Sequence, residues 1–234
     1  MQAAGPASPR SYGTFAAPVQ IVARALAAAI VAAAVIGLPA AAAERPVRIV
    51  ALGDSLTAGL GLPANAAFPA RLETALKAKG LAVEIANAGV SGDTASGGLA
   101  RLDWSVPPGT EAVIVELGAN DMLRGVDPKL TRKAIEEIVR RLTERRIAVL
   151  LAGMRAAPNL GDDYGRDFEA IYSDLAAKYD ALLYPFFLDG IAAEAKFNQR
   201  DGLHPTAAGI DAIVARILPK AEELVARVRD RRAM

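Results

Sequence analysis

Five short apolar runs separated by amphipathic stretches set the tightest limit on what this chain can fold into. Val47-Arg48-Ile49-Val50-Ala51-Leu52 is the first, and it runs straight into Gly53-Asp54-Ser55. Residues 82–88 make the second, Ala112 to Leu117 the third, Ile147 to Met154 the fourth and Leu182 to Tyr184 the fifth. The third run is apolar apart from Glu116, which suits a strand covered on both faces in the middle of a parallel sheet. Between the runs the apolar spacing turns helical. Phe68, Leu72, Ala75 and Leu76 share one face of a segment that Gly80 stops. Asp127-Pro128 supplies a capping side chain and a first-turn proline, followed by Leu130, Ala134, Ile138 and Leu142 at four-residue spacing. Phe168, Ile171, Tyr172, Leu175 and Tyr179 stripe a further helix, and a last one from Thr206 is predicted to be interrupted at Pro219. Strand and helix in alternation predict an α/β fold: a parallel sheet with helices on both faces. Ligands of such sheets bind beyond the carboxyl ends of the strands. Those ends carry Gly53-Asp54-Ser55, Asn87-Ala88-Gly89 and Gly118-Ala119-Asn120-Asp121.

Residues 1–43 lie outside this pattern. They hold no Asp or Glu, two arginines (Arg10 and Arg24) and 17 alanines. A basic flank, an uncharged apolar run from Ala25 to Ala43 and a small-residue end before Glu44 describe a secretory signal peptide, with cleavage expected after Ala43. An uncleaved anchor is the alternative, because the run is just long enough to span a bilayer; Pro39 and the alanine-rich end favour cleavage. The expectation is an exported protein, periplasmic or secreted, with one domain over residues 44–234. It should be monomeric and without stable membrane insertion once the leader is gone.

The rest of the composition removes chemistries. Across 234 residues, 27 Lys+Arg stand against 26 Asp+Glu, a formal net charge of +1. That balance argues against a nucleic-acid binder working through a basic face. With no cysteine, thiol nucleophiles, disulfide scaffolds, iron–sulfur clusters and Cys-based zinc sites are excluded. A single histidine, His204, argues equally against a His-rich metal centre. No phosphate loop of the G-x-x-x-x-G-K-[ST] type occurs, and Gly59-Leu60-Gly61 lacks the third glycine of a dinucleotide fingerprint. Neither metal nor cofactor is expected.

Nucleophilic catalysis by serine remains. His204 sits in Asp201-Gly202-Leu203-His204-Pro205. Asp201 lies three residues upstream of the ring, within the reach of one turn. A carboxylate on one ring nitrogen fixes the tautomer and stabilises the imidazolium formed when the other nitrogen takes a proton. The plainer alternative makes Asp201 a helix cap and His204 a surface loop residue. Ser55, in the first strand-to-helix turn, is the natural hydroxyl for a lone imidazole to activate; its plainer reading is a helix N-cap. Gly-Asp-Ser-Leu is not the G-x-S-x-G elbow of the α/β-hydrolases. Gly92, in Ser91-Gly92-Asp93-Thr94, offers an unobstructed backbone N–H, and Asn120 offers a side-chain amide. Both are candidate donors to an oxyanion, although either alone reads as turn chemistry.

These blocks, in this order, resemble the GDSL or SGNH hydrolase family. Ile49 to Gly59 matches the first block, Asn87 to Thr94 the second, Val115 to Asp121 the third and Asp201 to Pro205 the fifth. Ser-Gly-Asp-Thr and Glu-Leu-Gly-Ala-Asn-Asp-Met-Leu-Arg-Gly look like the bacterial thioesterase I, lysophospholipase and arylesterase branch; Ala119 stands where that branch often has a second glycine. The resemblance implies a three-layer flavodoxin-like sandwich, five parallel strands in the order 2-1-3-4-5, and no cofactor. It also implies roles: Ser55 as nucleophile and N–H donor, Gly92 and Asn120 as further oxyanion donors, His204 as base and Asp201 as its partner. Asp54 is left out of the chemistry as a structural hydrogen-bonding group.

The expected activity is hydrolysis of acyl esters, and of acyl thioesters, through an acyl-enzyme, on a small-molecule or lipid-like substrate. Leu60, Met122 and Leu123 are candidate acyl-chain contacts, and Leu62, Met154 and Phe186 add to the apolar surroundings of the blocks. A carbohydrate O-acetylesterase would use the same residues on a polar substrate. A catalytically inactive binding module on the same fold is the alternative from another class.

Overall fold

The computed structural model describes residues 1, 2, 5 and 45–234, and Arg45–Met234 forms one compact unit. Apart from those three positions, the expected leader lies outside the described residues, and so does its cleavage point.

Strand β1 (Val47–Gly53) is buried at every position except Arg48, so both of its faces need cover, and both receive it. It pairs in parallel with β2 (Val83–Gly89) on one side and β3 (Ala112–Glu116) on the other. β4 (Ala148–Ala152) and β5 (Leu182–Tyr184) extend the sheet, giving the order β2-β1-β3-β4-β5. This is the predicted α/β sandwich. β3 and β4 are buried throughout, whereas β2 is exposed at several positions, as an edge strand should be. Register puts Gly53 opposite both Gly89 and Glu116. The first three strands therefore end level, and their following loops leave from one edge.

Helices cover the two faces. On one, α2 (Phe68–Ala78) packs against α8 (Ala207–Ala233); on the other, α3 (Ala95–Ala100) packs on α6 (Pro128–Glu144), which packs on α7 (Asp162–Tyr179). The predicted stripes face inward: Phe68, Leu72 and Leu76 of α2, Ala134, Ile138 and Leu142 of α6, and Phe168, Ile171 and Leu175 of α7 are all buried. Full burial of one such leucine contributes about 2 kcal/mol. Phe68 and Phe187 meet edge to face with centroids 4.9 Å apart.

Two expectations need correction. Leu130 is not part of the buried stripe; it sits in the first turn of α6 and is 59% exposed. α8 is not interrupted at Pro219 but runs through it, because the proline faces solvent while Ile213, Ile217, Ala221 and Leu224 hold the helix to the core. Short helices also occupy stretches without a periodic signal: α1 (Ser55–Ala58), α3, α4 (Leu102–Ser105) and α5 (Ala119–Leu123). α3 contains Gly97 and Gly98, which hide it from any propensity argument. A Cβ on Gly98 would stand 2.4 Å from Leu117 Cδ1, so glycine lets this helix approach the sheet.

The far end of the molecule is clasped by Arg232. Its guanidinium donates to the carbonyls of Arg45 (2.8 Å) and Pro46 (3.0 Å) and to the Glu111 carboxylate. The last turn of α8 thereby meets the chain just before β1.

Candidate active site

Three loops leaving the carboxyl edge of the sheet, and one ahead of α8, build the site. β1 ends in Gly53, and Asp54 caps α1: its Oδ1 accepts from the Leu56 N–H at 2.9 Å. Asp54, not Ser55, is the cap, which is the structural hydrogen bond expected of it. Ser55 becomes the first residue of α1, largely buried, and its hydroxyl reaches His204 Nε2 at 2.9 Å. On the other side of the ring, His204 Nδ1 lies 2.8 Å from Asp201 Oδ2. Asp201 Oδ1 also accepts from the N–H groups of Leu203 (2.9 Å) and His204 (3.0 Å). Carboxylate and imidazole are thus locked within one turn. The helix cap is instead Thr206, which accepts from Gly209.

The turn has outside support. Gln199 N donates to the His204 carbonyl (2.7 Å), and the Gln199 amide donates to the carbonyls of Pro205 (2.9 Å) and Leu60 (2.8 Å). Leu60 is therefore where the histidine turn is tied to the loop following Ser55.

Gly92 has φ of 85°, a left-handed conformation that costs a residue with a side chain about 1 kcal/mol or more. Its surroundings are open, with Arg124 Nη2 at 3.8 Å from where a Cβ would lie. Backbone conformation, not space, is the reason for glycine here. Arg124 donates to the Gly92 carbonyl at 2.8 Å. Asn120, in α5, donates both hydrogens of its amide, one to Asp54 Oδ2 (3.0 Å) and one to the Asp93 carbonyl (2.9 Å). Asn120 is thereby bound to the nucleophile's loop and to the Gly92 turn together. Asp121 is buried and accepts from the Ala95 N–H (2.7 Å) and Thr131 hydroxyl (3.2 Å), fixing α5 to α3 and α6.

Beneath the site, Glu116 is fully buried at the end of β3. One carboxyl oxygen accepts from the Thr57 hydroxyl (2.8 Å) and the Asp54 N–H (3.4 Å). Burial and the neighbouring Asp54 charge push the Glu116 carboxyl well above its ordinary range. Burial raises Asp54 to about 6, against opposing hydrogen bonds from Leu56 and Asn120. Asp201 behaves oppositely: the His204 and Leu203 N–H groups and the imidazole hold it down at about 2, so it stays a carboxylate at any working pH.

Beside Ser55 opens a cleft of about 320 Å³, within the range of small-ligand sites. Met122, Leu123, Met154, Pro158, Phe186 and Leu188 give it an apolar wall, and Ser55, Asn120 and His204 line it as well. Met122 and Leu123 thus stand where expected. Leu60 does not line the cleft, and Leu62 packs against the core instead. Residues 155–158, Leu188 and Asn198 were not anticipated, and neither were the positions of Glu116, Arg101 and Arg124. The rule that ligands lie at the carboxyl edge pointed to the loops after β4 and β5, where most of the unanticipated cleft residues lie.

A hydroxyl hydrogen-bonded to an imidazole, itself held by a carboxylate, next to amide donors and an apolar cleft, is equipped for acyl transfer without a cofactor: it defines a serine-type ester hydrolase. Comparison with known proteins agrees. Residues 51–212 match the GDSL-like lipase/acylhydrolase family. Esterase TesA of Pseudomonas aeruginosa is 34% identical over 76% of this chain and 89% of its own length. Thioesterase 1/protease 1/lysophospholipase L1 of Escherichia coli K12 is 38% identical over 67% of this chain and 74% of its own. Among solved structures, the SGNH-hydrolase family esterase AlinE4 is 46% identical, covers 76% of this chain and 96% of its own, and superposes with a TM-score of 0.65. The chain belongs to the GDSL-like lipase/acylhydrolase family, and its activity is that of a carboxylic-ester hydrolase acting on small ester substrates.

Proposed function

We propose that Ser55 is the nucleophile of an acyl-enzyme mechanism and that the substrate carries a medium-length, lipid-like acyl chain. The observation that carries this reading is the unbroken chain Ser55 Oγ–His204 Nε2–His204 Nδ1–Asp201 Oδ2, with contacts of 2.9 and 2.8 Å, opening into an apolar cleft. Because the Asp201 carboxylate accepts the Nδ1 proton, Nε2 carries the lone pair and accepts from the Ser55 hydroxyl. Ser55 Oγ attacks the acyl carbon, its proton passes to Nε2, and the carbonyl electrons move to oxygen. Backbone N–H groups of Ser55 and Gly92 and the Asn120 amide receive that oxyanion. Both Asn120 hydrogens are engaged at rest, so one must be handed over. The bond to the neutral Asp93 carbonyl is the one exchanged, because the Asp54 carboxylate is the stronger acceptor. Collapse breaks the C–O or C–S bond, and the leaving group takes the proton from Nε2. Water then repeats the sequence on the acyl-Ser55 ester, releasing the acid.

The apolar cleft favours acyl chains over the acetyl groups of carbohydrates, and the names of the two curated relatives, esterase and thioesterase/lysophospholipase, support both oxygen and sulfur leaving groups. The leader composition supports export with cleavage after Ala43. Among the described residues, no helix is long and apolar enough to cross a membrane. A panel of p-nitrophenyl esters, acyl-CoAs, lysophospholipids and acetylated sugars tests the substrate class, and an alkylphosphonate with peptide mapping tests the nucleophile. Label at Ser55 and hydrolysis of acyl esters are expected. Failure of the phosphonate to label an active preparation would remove Ser55 from the mechanism, and turnover confined to acetylated sugars would overturn the substrate class.

A further inference from the structure

The nucleophile and the Gly92 turn follow different strands, and what sets their separation is visible in one side chain. Arg101 lies between α3 and α4, 15% exposed. Its guanidinium makes four hydrogen bonds. Nη2 donates to the Gly53 carbonyl at 2.8 Å, two residues before Ser55. Nη1 donates to the Ala88 carbonyl at 2.8 Å, near the end of β2, and to the Ser105 hydroxyl at 2.9 Å. Nε donates to Asp93 Oδ2 at 2.6 Å. Asp93 follows Gly92 and offers the carbonyl on which Asn120 rests. One rigid planar cation therefore touches the ends of β1 and β2 and the residue that joins both proposed side donors.

Resting on the reading that these donors receive an oxyanion, we infer that Arg101 is a positioning residue for the reaction: through Asp93 it fixes the Gly92 N–H relative to Ser55 Oγ and holds the carbonyl from which the Asn120 amide is handed to the oxyanion. The fork geometry matters. Five N–H groups in one plane can serve two carbonyls and a carboxylate along separate directions, which a lysine ammonium, a point charge with three donors, does not reproduce. Displacement of a catalytic donor by about 1 Å costs on the order of 100-fold in rate. Arg101 touches neither the imidazole nor the cleft wall, so its loss should act on turnover while leaving substrate affinity and the pH profile alone.

The test uses R101K, R101A and D93N in the full chain, with kcat, KM, pH profile, Tm and the rate of phosphonate labelling measured for each. R101K and D93N, folded at the assay temperature, should lose roughly 10- to 100-fold in kcat and in labelling rate. KM should stay within about threefold and the pH midpoint should not move. Added guanidinium, but not ammonium at equal ionic strength, should restore part of the R101A rate. If R101A does not fold, R101K decides. Folded R101K with wild-type kcat and labelling rate overturns the inference, as does a loss carried by KM. A wild-type enzyme that is active but unlabelled at Ser55 would instead sink the proposed mechanism.

Discussion

Asn120 binds Asp54 on one side and Asp93 on the other, so this residue couples the geometry of the site to its charge. Asn120→Ala should lower kcat by roughly 10²–10³-fold with a smaller change in KM; steady-state kinetics on a p-nitrophenyl ester checks this, and an unchanged kcat excludes the amide as a donor. Asp54 and Glu116 make a second, pH-dependent statement. A carboxyl raised in the folded state contributes its stability fully below its unfolded value and loses it as pH rises through the folded value. For Asp54 the window runs from its ordinary 3.8 to about 6, and Glu116 extends it upward. Glu116→Gln keeps a group that can accept from Thr57 and Asp54 N–H but removes the titration. The Tm of the variant minus that of wild type should become more positive between pH 5 and pH 8, as thermal melts at matched ionic strength will read; a difference independent of pH would refute the coupled-carboxyl account.

At the scale of elements, α8 shows how tertiary packing overrides a local rule. Pro219 removes an N–H from the helix ladder, and interior proline costs about 3 kcal/mol, yet buried residues on both sides keep the helix continuous. Pro219→Ala restores the ladder at an exposed position, with part of the gain offset by a more flexible unfolded chain. Differential scanning calorimetry should show Tm raised by roughly 2–8 °C, corresponding to about 1–2 kcal/mol; a lower Tm would show that the proline itself stabilises the folded chain. The same contrast explains what was legible beforehand. The five strands and the striped helices α2, α6 and α7 were readable because burial imposes periodicity. Ser55, His204, Asp201, Gly92 and Asn120 were readable because each terminates a readable element or stands in a motif. Arg101 and Glu116 were not. A charged residue in a glycine-containing segment looks like surface, and a lone acid in an apolar strand looks like an exception, until folding brings their partners from residues 48 and 59 positions away. Leu60 was misplaced because proximity in sequence to Ser55 says nothing about which way the loop turns.

For the molecule as a whole, the apolar cleft makes acyl length the variable to measure. Each methylene that stays desolvated in the transition state contributes about 0.8 kcal/mol, close to fourfold in kcat/KM. Octanoyl esters should therefore be hydrolysed at least tenfold more efficiently than acetyl esters, and Met122→Glu should penalise octanoyl far more than acetyl. A wild-type preference for acetyl of tenfold or more would return the O-acetylesterase reading. The clasp of Arg232 on Arg45 and Pro46 bears on how such an enzyme is handled. α8 begins three residues after His204 and runs for 27 residues, about 40 Å at 1.5 Å per residue, so the carboxyl terminus emerges at the pole opposite the cleft. An enzyme immobilised on a bead through that terminus would keep its cleft turned outward to the medium. A permuted chain, with residue 234 spliced to residue 45 through a short linker and new ends cut elsewhere at that pole, would carry its catalytic edge undisturbed.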